Sequence, residues 1–313
     1  MQSSTRNRAV SRVLLTPPGP GAGARRRSGW PAGGTPPQRL PAPSGTSAAG
    51  IGRRPWLSRL RRALERDLFE LHFQPIVSVE SGFVSHYEAL LRLADEPDGG
   101  LVAPGLFLPV AERHGLIRQI DRLVLEKVSA MLAERSGGLR PGEREVRVAI
   151  NLSALSVTDE RMLATIERSL ARNGVDPARL AIEITETSAI SDMTRARTFC
   201  EGVLGLGCSL ALDDFGAGFG SFQYLKHLPF SELKIDGEFI RRLPSSRTDQ
   251  LVVRALAGIV RGMGRATIAE FVGDRPTMGM LQGYGVDYAQ GFAVGRPQPL
   301  LPRCLRGAEI VAA

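Results

Sequence analysis

Residues 208–236 read CSLALDDFGAGFGSFQYLKHLPFSELKID, and the way this stretch divides decides the fold. Cys208–Asp213 is a short apolar run ending in a carboxylate, a Gly-rich loop follows, a short helix is stopped at Pro229, and Leu233–Asp236 opens the next run. A unit of this kind means parallel strands joined by a crossover helix. It recurs on both sides. Upstream, Val146–Asn151 leads into a helix from about Asp159 to Arg172 closed by Asn173-Gly174, and Leu180–Ile184 leads into Asp192–Leu206 closed by Gly207. Downstream, helices between Glu238 and Met263 follow Leu233–Asp236, Ala266–Glu270 leads into Pro276–Gly283, and Val286–Tyr288 comes last. The series opens with a hairpin, Leu71–Val79 and Phe83–Leu93 around Glu80-Ser81-Gly82. An amphipathic helix from about Pro55 to Glu70, with Trp56, Leu57, Leu60, Leu64 and Leu68 on one face, precedes the hairpin. No GxGxxG follows the first strand. The pattern predicts an α/β fold, a TIM-like (β/α)8 barrel opened by a hairpin with one antiparallel strand.

Charge divides the chain more sharply than hydropathy does. The 313 residues carry +8, but residues 1–64 hold twelve Arg, no Lys and no acidic residue, so the remainder carries −4, the difference between +8 and +12. Residues 1–55 are rich in Pro, Gly, Ser, Ala and Arg, a composition that cannot bury enough apolar surface to order itself, and they read as a disordered tail. The barrel domain with its leading helix is expected over 56–305, followed by a C-terminal tail at 306–313. The basic pI thus belongs to the tail, and no specific nucleic-acid partner is expected. Apolar runs stop short of a membrane span, Leu251–Val260 being cut by Arg254, and Val13-Leu14-Leu15 is too short for a secretory leader. Cys200, Cys208 and Cys304 lack metal spacing and read as buried thiols in a reducing compartment. The chain reads as cytoplasmic.

The strand ends carry the chemistry. Asn151 closes VRVAIN, Glu183 sits in LAIEIT, Asp213 closes SLALD, Lys234 and Asp236 sit in LKID, Glu270 closes ATIAE, and Gln290 follows VDYA. In a β/α barrel those ends converge on one mouth. Several carboxylates brought together without a cation would repel one another and be costly to desolvate. The donors are oxygens of Asp, Glu and Asn, while His72, His86, His114 and His227 show no ligand spacing, which favours Mg²⁺, Mn²⁺ or Ca²⁺ over zinc. Adjacent Asp213-Asp214 suits a two-metal site, and Lys234 adds a cation to orient water or balance phosphate charge. These residues point to metal-assisted hydrolysis of a phosphodiester without naming it.

Glu88-Ala89-Leu90 in YEALLRL, FQPIV from Phe73, PGLFLPVAERHGLI from Pro104, NLS from Asn151 and EITE from Glu183 stand in the order of the EAL family, the bacterial cyclic di-GMP phosphodiesterases. DDFGAGFGS from Asp213, YLKHLP from Tyr224, LKIDGEFI from Leu233, AEFV from Ala269 and QGF from Gln290 complete the series, and the chain resembles that family from roughly Leu64 to Leu300. The resemblance implies cleavage of cyclic di-GMP to linear pGpG with two Mg²⁺ or Mn²⁺ ions. It implies that Glu88, Asn151, Glu183 and Asp213 ligate one ion, and Asp213, Asp214 and Glu270 the other. Lys234 and Glu270 stand as the catalytic pair beside the water, either being the group that takes its proton. Gln74, Leu90, Arg92, Asp236 and Gln290 correspond to substrate contacts, and Glu186 to the residue bracing the DDFG loop. A homodimer is implied as well. The competing reading is a degenerate domain that binds cyclic di-GMP without cutting it, or acts through protein contacts.

Departures from the family pattern cluster near the second ion. Phe271 replaces a common Gly, Gly273 a frequent Glu, and Thr277 a usual Gln, while the loop's usual Thr, Tyr and Ser appear as Ala217, Phe219 and Gly220. Loss of those hydroxyls removes hydrogen bonds and adds backbone freedom. Attenuated or dimer-dependent turnover is the expectation.

Overall fold

The computed structural model describes residues 56–95, 100–185, 192–216 and 221–306. The expected tail at 1–55 lies outside them, as do Glu186, Ala217, Phe219 and Gly220. The leading helix α1 (Trp56–Glu65) is shorter than its apolar spacing suggests. Asp67 takes a left-handed φ of 52°, Leu68 N–H closes back on the Ala63 carbonyl at 3.0 Å, and the chain enters β1 (Phe69–Ser78) two residues before the expected start. Leu68 still packs on the core, which is why the apolar period continues past the end of the helix.

β1 and β2 (Val84–Asp95) form the hairpin, and β5 (Val148–Leu152), β6 (Leu180–Thr185), β7 (Ser209–Phe215), β8 (Glu232–Ile235), β9 (Ala266–Ala269) and β10 (Tyr288–Gln290) follow. Hydrogen bonding runs β1-β10-β9-β8-β7-β6-β5-β2, and the β1–β2 pairing closes the ring of eight. β1 is antiparallel to both neighbours, and every other neighbouring pair in the ring is parallel. This is the expected barrel with its single antiparallel strand. β3 (Gly100–Val102) pairs with the end of β2 at Leu93–Asp95, beyond the residues that meet β5, and β4 (Glu143–Arg144) pairs with β11 (Leu305–Arg306) apart from the ring.

Helices α2 (Pro104–Arg113) and α3 (Ile117–Ala133), which strand-and-helix alternation alone did not mark, fill the gap before β5. The others are α4 (Ala154–Val157), α5 (Met162–Asn173), α6 (Met193–Gly205), α7 (Ser221–His227), α8 (Gly237–Arg241), α9 (Arg247–Gly262) and α10 (Arg275–Tyr284). Gly174 and Gly285 end α5 and α10 in the left-handed conformation, and Asp192 and Asp274 cap α6 and α10 with their carboxylates.

Strand alternation sorts the barrel residues. Ile150, Ile182 and Leu212 belong to the continuous core under the helices, each contributing about 1.5–3 kcal/mol by burial. Their neighbours Ala149, Ala181 and Ala211 are buried yet lie outside that cluster, on the opposite face. Small interior side chains leave room above them for the longer polar ones at the mouth.

Candidate active site

Register places the polar side chains on one face. Gln74 on β1 sits opposite Glu88 on β2, Ile76 opposite Gln290 on β10, Asn151 on β5 beside Glu183 on β6, and Thr185 beside Asp213 on β7. Consecutive residues of a strand point to opposite faces, so Asp213 and Asp214 would part company in regular β-structure. The β7–β8 register instead shifts between Leu212 and Phe215, and Asp214 takes a φ of 54°. That irregularity lets carboxylate oxygens of Asp213, Asp214 and Glu270 all lie within 4.8 Å of one another.

Lys234 occupies the centre. Its Nζ, on a side chain 1% exposed, lies 2.8 Å from Glu183 Oε2, 3.0 Å from Glu270 Oε1, 3.2 Å from Asp213 Oδ1 and 3.5 Å from Glu88 Oε2. Asn151 Nδ2 donates to Glu88 Oε1 at 2.6 Å, and Gln290 Nε2 donates to Glu88 Oε2 at 2.5 Å and to Gln74 Oε1 at 3.2 Å. Gln74 Nε2 in turn donates to the Gly295 carbonyl at 3.0 Å.

One ammonium against four carboxylates leaves an excess of negative charge in a dry place, and the proton affinities show it. Burial pushes Glu270 up to about 8, and pushes Asp214, with the Asp213 charge beside it, up to about 6. Burial raises Asp213, and it raises Glu183 well above the ordinary carboxylate range, against the pull of Lys234. Glu88 goes the other way: burial opposes its charge, but Lys234 and the amide donors Gln290 and Asn151 hold it below the usual value. Burial also opposes the Lys234 charge, and the four carboxylates outweigh it, holding the ammonium well above its ordinary range.

This donor set fits hard divalent cations. It is all oxygen, it carries surplus negative charge, and the buried Glu183 Oε1 has no hydrogen-bond partner. Beside it opens a cavity of about 470 Å³ whose wall includes Gln74, Leu90, Arg92, Asp214 and Gln290. Asp236 is placed differently. It caps α8, accepting from Glu238 N–H at 2.6 Å, and does not line this cavity. Gly273 is in the wall, while Thr277 is buried in the first turn of α10 with its N–H on the Asp274 carboxylate. Arg241 and Phe292 also line the cavity and were not expected as site residues. Arg241 reaches it from the last turn of α8, which only packing reveals. Phe292 is 60% exposed beside Gln290, and its position in QGF was the one available signal.

The description "EAL domain" matches residues 57–297 of this chain. The chain belongs to the EAL-domain family. EAL relatives include MucR of Pseudomonas aeruginosa, a bifunctional diguanylate cyclase/cyclic di-GMP phosphodiesterase, 37% identical over 243 residues, which are 78% of this chain and 35% of MucR. PdeF of Escherichia coli, a cyclic di-GMP phosphodiesterase, is 36% identical over 245 residues, 78% of this chain and 32% of PdeF. The chain thus spans about a third of the length of the curated relatives it matches. Among solved EAL structures, the MucR phosphodiesterase in complex with cyclic di-GMP aligns with a TM-score of 0.72 at 36% identity, covering 78% of this chain and 97% of that one. The EAL domain of FimX from Pseudomonas aeruginosa, bound to cyclic di-GMP, aligns with a TM-score of 0.72 at 29% identity, covering 80% and 99%.

Proposed function

We propose that this EAL barrel hydrolyses cyclic di-GMP to linear pGpG, water adding across one phosphodiester bond. The observation that carries the reading is the convergence of Glu88, Glu183, Asp213 and Glu270 on Lys234 beside an open cavity, in a chain of this family. Glu88, Asn151, Glu183 and Asp213 would hold one Mg²⁺ or Mn²⁺ ion, and Asp213, Asp214 and Glu270 a second. When bound, such ions supply Lewis-acid polarisation of the phosphodiester and a more acidic water. The residues do the rest. Arg92 pairs with a phosphate oxygen. Gln290 and Asn151 fix the orientation of Glu88 through its two oxygens. Lys234 and Glu270, in direct contact at 3.0 Å, face the water from the same side: the Lys234 ammonium donates to the water oxygen, and the Glu270 carboxylate, with its raised proton affinity, accepts the proton the water gives up. Glu186 braces the loop that carries Asp213 and Asp214, and two copies of the chain associate in the cytoplasm.

Purified protein with Mn²⁺ or Mg²⁺ and cyclic di-GMP, followed chromatographically, tests this. Turnover to pGpG is expected, abolished by EDTA and reduced at least about 100-fold in Glu88→Ala, which removes a ligand from the ion. Micromolar binding without turnover would replace the enzyme by a cyclic di-GMP receptor. Light scattering tests the homodimer.

A further inference from the structure

β1 and β2 are joined as a hairpin, so no crossover helix lies between them in the chain, and β1 is met instead by the irregular segment 291–302 that follows β10. That segment is tied down at two points. Phe73 N–H donates to the Gln298 carbonyl at 2.6 Å, and Gln298 N–H donates to the Phe73 carbonyl at 3.0 Å. Arg135 donates through Nε and Nη2 to the Leu301 carbonyl, each at 3.3 Å. Between the hairpin and this segment lies a cavity of about 720 Å³, within the roughly 300–1,000 Å³ usual for small-molecule sites. It is distinct from the mouth. Phe73 and Pro75 line it, while Gln74 between them lines the mouth on the other face of β1.

The walls are apolar, with Phe73, Pro75 and Tyr87 on the hairpin and Leu300, Leu301 and Pro302 on the segment. No acidic residue lines the cavity, and its one charged residue is Arg296. That guanidinium stacks on Phe292, 4.1 Å from the ring centroid, and makes no hydrogen bond or ion pair among the described residues. Leu300, also in the wall, is 80% exposed, so apolar surface stands open to water here. A peptide cannot add as a strand at this point, because the Phe73 backbone is already bonded to Gln298 in both directions. We propose that this cavity is a second ligand site, taking a free medium-chain fatty acid with its aliphatic tail between hairpin and segment and its carboxylate on Arg296. Apolar walls with one unpaired cation match a chain that ends in one anion; a neutral chain leaves the guanidinium without a partner, and a cationic one is repelled.

Calorimetric titration of the full chain in EDTA tests this, with decanoate beside 1-decanol, a chain of equal length without the charge. Wild type is expected to take up one decanoate per chain, more tightly than it takes up decanol. Arg296→Gln should weaken decanoate about fivefold and decanol by less than about twofold, so that the preference for the anion is lost. Leu300→Glu sets a carboxylate beside the cavity at an exposed position and should disfavour decanoate in the same selective way. Both changes lie outside the mouth, so the thermal midpoint and the affinity for cyclic di-GMP should stay at their wild-type values. Uptake that does not saturate, equal decanoate binding by wild type and Arg296→Gln, or displacement of decanoate by cyclic di-GMP each overturns the inference.

Discussion

Lys234 holds together groups that would otherwise drive one another apart. It stands within 3.5 Å of four carboxylates, and those carboxylates have their proton affinity raised, except Glu88, which also has two amide donors. Removing the ammonium leaves a buried cluster of one sign, a situation that costs about 3 kcal/mol even after local relaxation. Lys234→Met is therefore expected to lower the stability of the metal-free protein by about that amount in urea melts, and added Mn²⁺ should return part of it. A melt that EDTA and Mn²⁺ leave equal in wild type and variant would show that no cation enters the cluster. At this scale the sequence was most legible. Glu183, Asp213, Lys234 and Glu270 could be picked out because each ends or nearly ends a strand, and barrel geometry sends strand ends to one place, whereas Glu88, inside β2, is marked only by the EAL resemblance. Asp236 shows the limit of that rule: it also follows a strand, yet the helix beginning at Gly237 takes its carboxylate as a cap.

Elements decide how firmly those side chains are held. Asn151 is followed two residues later by Ser153, the cap of α4, whose N–H and Oγ both donate to Asp121 on α3 at 3.1 and 2.6 Å. Burial raises Asp121 against these hydrogen bonds. A carboxyl raised in the folded state binds more protons folded than unfolded, so its contribution to stability falls as pH rises from the ordinary aspartate value of 3.8 through the raised one. Asp121→Asn keeps an acceptor oxygen without the charge. Its urea-denaturation profile between pH 4 and 7 should lack that fall. Parallel profiles would mean that Asp121 does not titrate differently on folding. The expected attenuation of turnover is tested by restoring the family's hydroxyls: the triple change Ala217→Thr, Phe219→Tyr and Gly220→Ser is expected to raise kcat severalfold and lower the Mn²⁺ concentration needed for half-activity. The strands and most helices could be read from alternation and caps. The end of α1 could not, because Leu68 continues the apolar period while Asp67 turns the chain. Arg241 was equally hidden, since its approach to the cavity depends on where α8 packs.

At the scale of the whole chain, charge and fold part company: +12 lies in residues 1–64 and −4 in the remainder. Removing residues 1–55 is expected to leave pGpG production within about twofold, and to lower the salt needed to elute the protein from immobilised heparin, since long-range attraction to a polyanion is screened within about 10 Å at 0.1 M salt. Turnover that disappears with the tail would make it part of the enzyme. The order of the ring has a separate consequence. β1 leaves the ribosome early, but its partner β10 arrives only near the end of the domain, Ile76 meeting Gln290. Until then the hairpin carries an unpaired edge, the exposed state that chaperones cover. Gln290 is also the donor that joins Glu88 to Gln74, so ring and mouth are completed together. A nascent chain stalled before residue 290 thus lacks both the closed sheet and the finished site, and no half-made copy presents the assembled mouth.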